Sequence, residues 1–592
     1  TVTNLTGEFK LENVSIGRQG INVSYMGYSP TKLNNLIVSS GKEVVLIIEL
    51  KEMVITTEEV VITAKQDKNQ ASNKMATVSA RSFSVEETER FAGSLGDPSR
   101  MVANYAGVMM ANDSRNDIII RGNSPSGLLW RLDGIEIPNP NHFGSFGTTG
   151  GPVSMLNNNL LTNSDFFTSA FPAEFGNAIS GVFDLKMRAG NNQKHEYVGQ
   201  IGFNGFELGA EGPFSKENKA SYLANYRYST LDVFSKLGLD IGIGEAIPQY
   251  QDLTFKMNFP GTKFGNFSLI GMGGLSYIEL NDSEKAKADD NSEDSNYDYG
   301  GVDLNYGSDM GIIALSNVYF FNKTTRLKTI VSILATRATT YIDSLKFDTI
   351  GDLIPNSNYQ FYASEGTEVK YSFNTHLKKK FSAKDNASAG IYIDLYKVNY
   401  LDSVLDSDSL TTQFRRGLDI KGNVSLLRYY AQWQHNFSDK FTLNSGIYSH
   451  YIFLNNEISI EPRLGLKYNL SNNQSLSFGY GLHSMMQPRI NYFIQTRLSD
   501  GSYIRTNEDV KMTRSNQFVI AYDKLFSEQI RLKTEVYYQS LFNVPVSKEY
   551  PEFSTVNSGD DFYSPLLDSL INEGTGTNYG LELTGFDSML SG

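Results

Sequence analysis

Arg463-Leu464-Gly465-Leu466-Lys467-Tyr468-Asn469-Leu470-Ser471-Asn472-Asn473-Gln474-Ser475-Leu476-Ser477-Phe478-Gly479-Tyr480-Gly481-Leu482-His483 is the stretch that decides the fold. Leu464, Leu466, Tyr468 and Leu470 place an apolar side chain at every second position, and Leu476, Phe478, Tyr480 and Leu482 resume the pattern after a turn at 471–474. Arg463, Lys467, Asn469, Ser475, Ser477 and His483 hold positions in between. Side chains alternate between the two faces of a strand, so this is a hairpin with one apolar and one polar face. Farther on, Ile530, Leu532, Val536 and Tyr538 alternate in the same way with Arg531, Lys533, Glu535 and Gln539. Strands with one face for lipid and one for a wet lumen build membrane β-barrels. Alternation alone would also suit a soluble β-sandwich or propeller.

The lengths of the connections separate the two. Short turns are expected at 214–218, 261–263, 322–324, 382–385, 438–440, 471–474 and 527–528. Long polar loops lie between most of them, at 230–250, 281–297, 343–366, 402–421, 488–512 and 545–575, the exception being a brief link at 455–456. Short turns on one rim and long loops on the other are the habit of outer-membrane barrels, whose short rim is periplasmic. Such a sheet has to close, because an open edge in hydrocarbon leaves backbone groups unsatisfied. About fourteen or fifteen strands are expected here, against the ~22 of plugged outer-membrane transporters, a deficit that agrees with a chain cut before its last strands.

Composition agrees with the barrel. The 592 residues include 34 Tyr, 36 Phe and 51 Gly but only two Trp, and the mean hydropathy is −0.31. No run approaches the length of apolar residues that a membrane-spanning helix needs, whereas alternating strands are polar on average and still cover a lipid face. Cysteine is absent, which removes disulfides, thiolate metal sites and cysteine nucleophiles. The net charge of −13 leaves no basic stripe for a nucleic-acid partner. The chain opens at Thr1 without a signal-peptide pattern and stops at Gly592 without an aromatic-ended strand, so both ends are read as cut.

Upstream of the barrel, residues 1–53 alternate strand-like runs such as Phe9 and Leu11, Ile21 and Val23, and Val45, Ile47 and Glu49 with turns at Gly7, Gly17, Gly27 and Gly41, the pattern of a small β-sandwich. The runs 7–11 and 23–28 resemble the carboxypeptidase-regulatory-like domain that precedes many transporters of Bacteroidota. Residues 54–80 have the Glu, Lys, Thr, Ser, Asn and Gln mixture of a linker. Glu59-Val60-Val61-Ile62-Thr63-Ala64 within it is either the last strand of the sandwich or an edge strand for a partner's sheet, and it resembles the TonB box. Residues 81–190 mix helix and strand signals. Ser84 with Glu87 three residues on is a capping-box start for a helix, and 118–122 with 128–135 read as a buried hairpin closed by 123–127. Arg121-Gly122 and Leu132-Asp133-Gly134-Ile135-Glu136-Ile137-Pro138, followed by 175–184, resemble the plug signature and the plug-to-barrel passage of TonB-dependent outer-membrane transporters.

The resemblance implies a mainly β chain: a transmembrane antiparallel barrel over 191–592, an α+β plug over 81–190, and a small β-sandwich. It implies an outer-membrane location, with plug and N-terminal domain toward the periplasm, and energy-coupled import of a siderophore, metal chelate or other nutrient. Residues 59–64 would then be captured by the TonB-ExbB-ExbD complex. A glycan or peptide importer of the starch-utilisation (SusC-like) kind, working with a surface lipoprotein, and a plugged receptor that signals without importing are the rival readings. No enzyme is expected, because no nucleophile, base and orienting acid can be placed together. The six His residues show no ligand spacing, and the acidic run 289–294 lacks the order of a calcium loop. No cofactor is called for. Arg121 and Asp133 are read as structural charges whose partners come from the barrel wall. Asn139, Asn141, His142 and Phe143, just past the signature, are candidate ligand contacts or, equally, a rigid turn with a buried ring.

Overall fold

The computed structural model describes the chain apart from residues 53–70, 230–247, 286–300, 407–412, 560–565 and 588–592 and short stretches at 5–6, 8, 26–27, 30, 39–42, 45, 47, 49, 92, 146, 203–204, 216–218, 347, 349–353, 355–357, 528–529 and 551. The TonB-box-like segment 59–64 and the acidic run 289–294 therefore lie outside the described residues.

Alternation becomes a single antiparallel 16-stranded sheet in which each strand pairs with the next along the chain, except that a separate two-stranded ribbon intervenes before the last three. Preceding it are β1 (Gly17–Val23), β2 (Tyr28–Ser29), β3 (Thr31–Val38) and β4 (Lys51–Glu52), where β1 pairs with β3 and β2 with β4. Phe9 and Leu11, expected on a strand, lie outside any strand. The plug follows as β5 (Ala80–Phe83), α1 (Val85–Arg90), α2 (Pro98–Val102), β6 (Val108–Met110), β7 (Ile118–Ile120), β8 (Leu128–Leu132), β9 (Ile135–Ile137), β10 (Asn141–His142), β11 (Val153–Ser154), β12 (Leu161–Phe167) and β13 (Gly181–Met187). The large sheet begins with β14 (Glu196–Gly202), β15 (Gly205–Pro213), β16 (Ser221–Tyr228), β17 (Gln249–Thr262), β18 (Gly265–Asn281), β19 (Val302–Asn322) and β20 (Thr325–Ser344). It continues through β21 (Tyr359–Lys380), β22 (Asp385–Asp406), β23 (Gln413–Asn436), β24 (Phe441–Ile452), β25 (Glu457–Ser471) and β26 (Gln474–Met485). After the small ribbon β27 (Thr496–Arg497) and β28 (Tyr503–Ile504), it ends with β29 (Thr513–Leu525), β30 (Ile530–Ser547) and β31 (Leu570–Asp587).

The deciding hairpin is β25–β26. Leu464 faces Tyr480, Leu466 faces Phe478 and Tyr468 faces Leu476 across it, apolar pairs of the kind that stabilise a sheet face. Leu464, Tyr468, Leu470 and Leu476 point outward, while Arg463, Ser477 and His483 are buried in the lumen. Outward aromatics gather at the short-turn rim, among them Phe214, Phe264, Phe321, Phe381, Phe437 and Phe526, as an interfacial girdle does. Lys379 and Lys524 each lie 4.7 Å over a ring of this girdle, Phe381 and Phe526.

The strand count exceeds the expected fourteen or fifteen because β14 and β15 form a tight hairpin through Gly202 and Gly205. It is a second short link on the long-loop rim beside 455–456. The expected hairpin between 118–122 and 128–135 does not form. Instead β7 pairs with β6, while β8 runs parallel to β13 and antiparallel to β9. The cause is local: Arg121 and Gly122 both adopt positive φ, and a 3-10 turn at Pro125–Gly127 redirects the chain so that β8 enters the five-stranded order β5-β12-β13-β8-β9. The predicted capping box does form, with Ser84 accepting from the Glu87 backbone and Glu87 accepting from the Ser84 N–H. Trp130 and Phe183 stack at 4.0 Å between the parallel strands. Around them the plug core merges with barrel residues. Above the plug, the connection 486–512 folds inward and packs Ile490, Tyr492 and Phe493 on Val398, Val424 and Leu426 of β22 and β23.

Candidate functional site

The site is built where plug turns meet the barrel wall. Asp133 and Gly134 join β8 to β9 with φ of 51° and 90°, the doubly left-handed turn that suits a two-residue hairpin. Gly134 also lies against Ile330 and Lys328, where a Cβ would crowd both. Lys256 Nζ donates to Asp133 Oδ2 (2.7 Å) and Lys328 Nζ to the Asp133 carbonyl (2.6 Å), so this turn is held by β17 and β20. The second left-handed pair, Arg121-Gly122, is held by the last strands. Arg121 donates to Glu582 Oε1 and Oε2 at 2.8 and 2.7 Å and to Glu535 Oε2 at 2.6 Å, and its guanidinium lies 4.5 Å over the Tyr537 ring. The expected partners of Arg121 and Asp133 are thus barrel side chains.

Farther up, Glu136 on β9 accepts from Arg428 at 2.8 Å through each oxygen and from Lys370 at 3.0 Å. Arg428 also bonds Asp394, so β21, β22 and β23 converge on one plug carboxylate. Burial would push the Glu136 carboxyl up, but the two cations outweigh it and hold the group far below the usual carboxylate range. Glu174 is handled alike: burial opposes its charge, Lys378 and Arg131 overcome that and lower it, and Asn73 donates to it at 2.7 Å.

Beside this cluster, between the plug turns and the start of the 486–512 connection, lies a cavity of about 170 Å³. Plug residues Asn139 and Asn141 line it together with Asp309, Arg337, Glu368, Lys370, Tyr396, Met486 and Arg489. Arg489, on the inward-folded connection, pairs with Glu368 of β21, and Glu136 forms part of the floor. The four expected ligand contacts divide. Asn139 and Asn141 reach the cavity while bracing their own loop, Asn139 donating to Gly150 O (2.9 Å) and Asn141 to Asn139 Oδ1 (2.9 Å). His142 and Phe143 face the wall instead. His142 Nε2 bonds Asp252 Oδ2 at 3.0 Å against the Tyr250 ring, where burial lowers its pKa, and the Phe143 N–H donates to Ser276 Oγ (3.1 Å). Sequence reasoning passed over Glu136, Asp394, Arg428 and Lys370. The available signal was a charge at inward positions of an otherwise regular alternation, without any sign of which charge meets which.

A barrel filled by a mixed α/β plug, bonded to it by buried ion pairs and leaving a cavity of mixed lining between plug, wall and the 486–512 connection, has the build of an outer-membrane receptor. Residues 281–592 match the family described as TonB dependent receptor-like, beta-barrel, and the chain belongs to that family. Its members are outer-membrane proteins with a plug toward the periplasm; they import ligands rather than catalyse reactions and work with TonB-ExbB-ExbD. Among solved structures, the chain is similar to a mutant ferric enterobactin receptor of Pseudomonas aeruginosa, with 13% identity, TM-score 0.58, and 86% of this chain and 77% of that one covered. It is similar to the siderophore receptor PirA of Acinetobacter baumannii, at 13%, 0.58, 86% and 78%. It is also similar to the outer membrane transporter YddB of Escherichia coli, at 14%, 0.57, 79% and 70%. At these identities the likeness is one of fold. No curated protein matches the chain.

Proposed function

We propose that this chain imports a metal chelate of the siderophore class, with release driven through residues 59–64. The observation that carries the reading is the cavity. It presents Arg337, Lys370 and Arg489, together with Glu136, Asp309 and Glu368, beside Tyr396 and the plug amides of Asn139 and Asn141, hydrogen-bonding groups of both kinds and a ring face suited to an oxygen-rich chelate. The printed names of the similar receptors, ferric enterobactin and siderophore, point the same way. Support for the coupling role of Glu59-Val60-Val61-Ile62-Thr63-Ala64 is its apolar, strand-forming run in a polar segment. It lies a few residues before Ser72 and Asn73, whose N–H groups donate to Asp165 of the plug. For residues 1–53 we keep the carboxypeptidase-regulatory-like reading of the Bacteroidota kind on the resemblance of the runs 7–11 and 23–28; the β1–β3 and β2–β4 pairings support a β-rich unit there. That domain meets the start of the barrel through Glu43, which accepts from Asn191 at 3.1 Å.

The test is uptake of radioiron supplied as ferric enterobactin by iron-limited cells carrying the protein or its Val61→Pro variant, which lacks a backbone donor for strand addition. Uptake by the parent and its loss in the variant, at equal outer-membrane levels, is the expected result. Binding without uptake in the parent would favour a surface receptor. Neither binding nor uptake would move the ligand to the glycan or peptide class and call for a lipoprotein partner.

A further inference from the structure

Five turns of the short rim repeat one pairing. Lys263 precedes Phe264, Lys323 follows Phe321, Lys384 follows Phe381, Lys440 follows Phe437 and Lys524 precedes Phe526, in each case within three residues. All five rings are exposed, and Phe437 stacks on Phe441 at 5.3 Å. An outward aromatic belt sits at the headgroup level of a bilayer, so lysines at the tips of these turns stand where the phosphates of that leaflet lie. A lysine lays its stem along apolar surface and carries its ammonium into the polar layer. Lys524 does so 4.7 Å over the Phe526 ring, and Lys379 at the same distance over Phe381.

The charge at this rim is not balanced within the protein. Lys263, Lys323, Lys384 and Lys440 are exposed, and among the described residues none of the four has a carboxylate partner. Three described carboxylates stand at the same turns, and two of them are engaged elsewhere. Asp385 accepts from His435 Nδ1 at 2.7 Å, from Trp433 Nε1 at 3.2 Å and from Ser382 Oγ at 2.8 Å. Asp523 is held by Arg531. That leaves Asp439, next to Lys440 in the chain. The excess of base is local, because the chain as a whole carries −13, a charge that on average repels an anionic surface.

We propose that the short-turn rim is a binding surface for anionic phospholipid, the lysine ammoniums holding headgroup phosphates and the phenylalanine rings the adjoining part of the acyl chains. Rings alone accept any lipid, whereas a row of ammoniums without carboxylate partners selects a headgroup with net negative charge. Each lysine close to an anionic surface strengthens binding to it by roughly fivefold. Lysine meets phosphate as a point charge on a long stem, so the row needs no fixed geometry to engage a fluid leaflet. The barrel is thereby seated by charge on the side of its short turns, whatever the cavity imports.

The two tryptophans make the test direct. Trp433 faces outward on β23 at this rim, 40% exposed, while Trp130 is buried in the plug at 1%, so a lipid brominated on its acyl chains quenches Trp433 selectively. In phosphatidylcholine vesicles holding the purified protein, brominated phosphatidylglycerol should associate at Trp433 at least about threefold more strongly than brominated phosphatidylcholine. Lys384→Gln combined with Lys440→Gln should bring that ratio to about one, and Lys397→Gln combined with Lys421→Gln, exposed positions on the long-loop half of the same strands, should leave it unchanged. On the parent itself, about 1 M NaCl, where the screening length falls to ~3 Å, should also bring the ratio toward one. Equal quenching by the two lipids in the parent, a ratio that survives either high salt or the loss of Lys384 and Lys440, or one that falls as far on the loss of Lys397 and Lys421, overturns the proposal. Inorganic phosphate at constant ionic strength should leave the ratio in place. If it abolishes the ratio, the rim takes the free anion and the assignment to lipid falls.

Discussion

Arg121 shows at the scale of one residue why charge is tolerated in the middle of the molecule. Its guanidinium is fully buried between Glu535 and Glu582, and each N–H that reaches a carboxylate offsets part of the desolvation of both groups. Arg121→Ala would leave Glu582 facing Glu535 with Lys533, 3.0 Å from Glu535, as the remaining cation. The expected cost is about 3–5 kcal/mol of plug-to-barrel stability, read as a lower urea midpoint for protease attack on the plug. Glu136 gives a pH signature. Its pKa is lowered from 4.5 in the folded protein, so its contribution is present above the ordinary carboxylate value and is lost as pH falls through the lowered one. Glu136→Gln should therefore lower the thermal midpoint at neutral pH, and the gap to the parent should close only in strong acid, below the ordinary carboxylate range. Midpoints of both proteins measured across acid pH check this, and a constant gap would remove the ion cluster from the explanation.

Among elements, the parallel pair β8–β13 matters most, because it ties the segment after Arg121 to the segment that leads into the barrel. Trp130 and Phe183 stack across it, and Trp130→Ala should cost about 3–5 kcal/mol, measured as the loss of a cooperative plug transition in denaturant. This pairing also marks where sequence reading stopped. The barrel hairpins were legible because alternation and turn residues are local: Leu464 to Leu470 and Leu476 to Leu482 carry their own register. The β8–β13 pair was not, since it joins residues far apart in sequence, and Ile118 to Ile120 looked as good a partner for Leu128 to Leu132 as the true one. The hairpin at Gly202–Gly205 was missed because its strands are short. At the site, Asn139 and Asn141 could be singled out from their place after the signature, but the inward charges of β21–β23 carried no mark of the plug carboxylate they would meet.

For the whole molecule, a lumen filled by the plug should not conduct. Removing residues 72–187 is expected to convert a silent protein into an open pore in planar bilayers, with the remaining barrel still held in lipid by its rim aromatics. A plugless protein that stayed silent would mean that the inward-folded connection 486–512 closes the lumen unaided. The contact between Arg121 and Glu582 joins residues 461 positions apart, on the plug and on the last described strand. That bond dates the assembly of the molecule. While β31 is missing, Arg121 has only part of its anionic cradle, so the final seating of the plug waits on a strand laid down hundreds of residues after it.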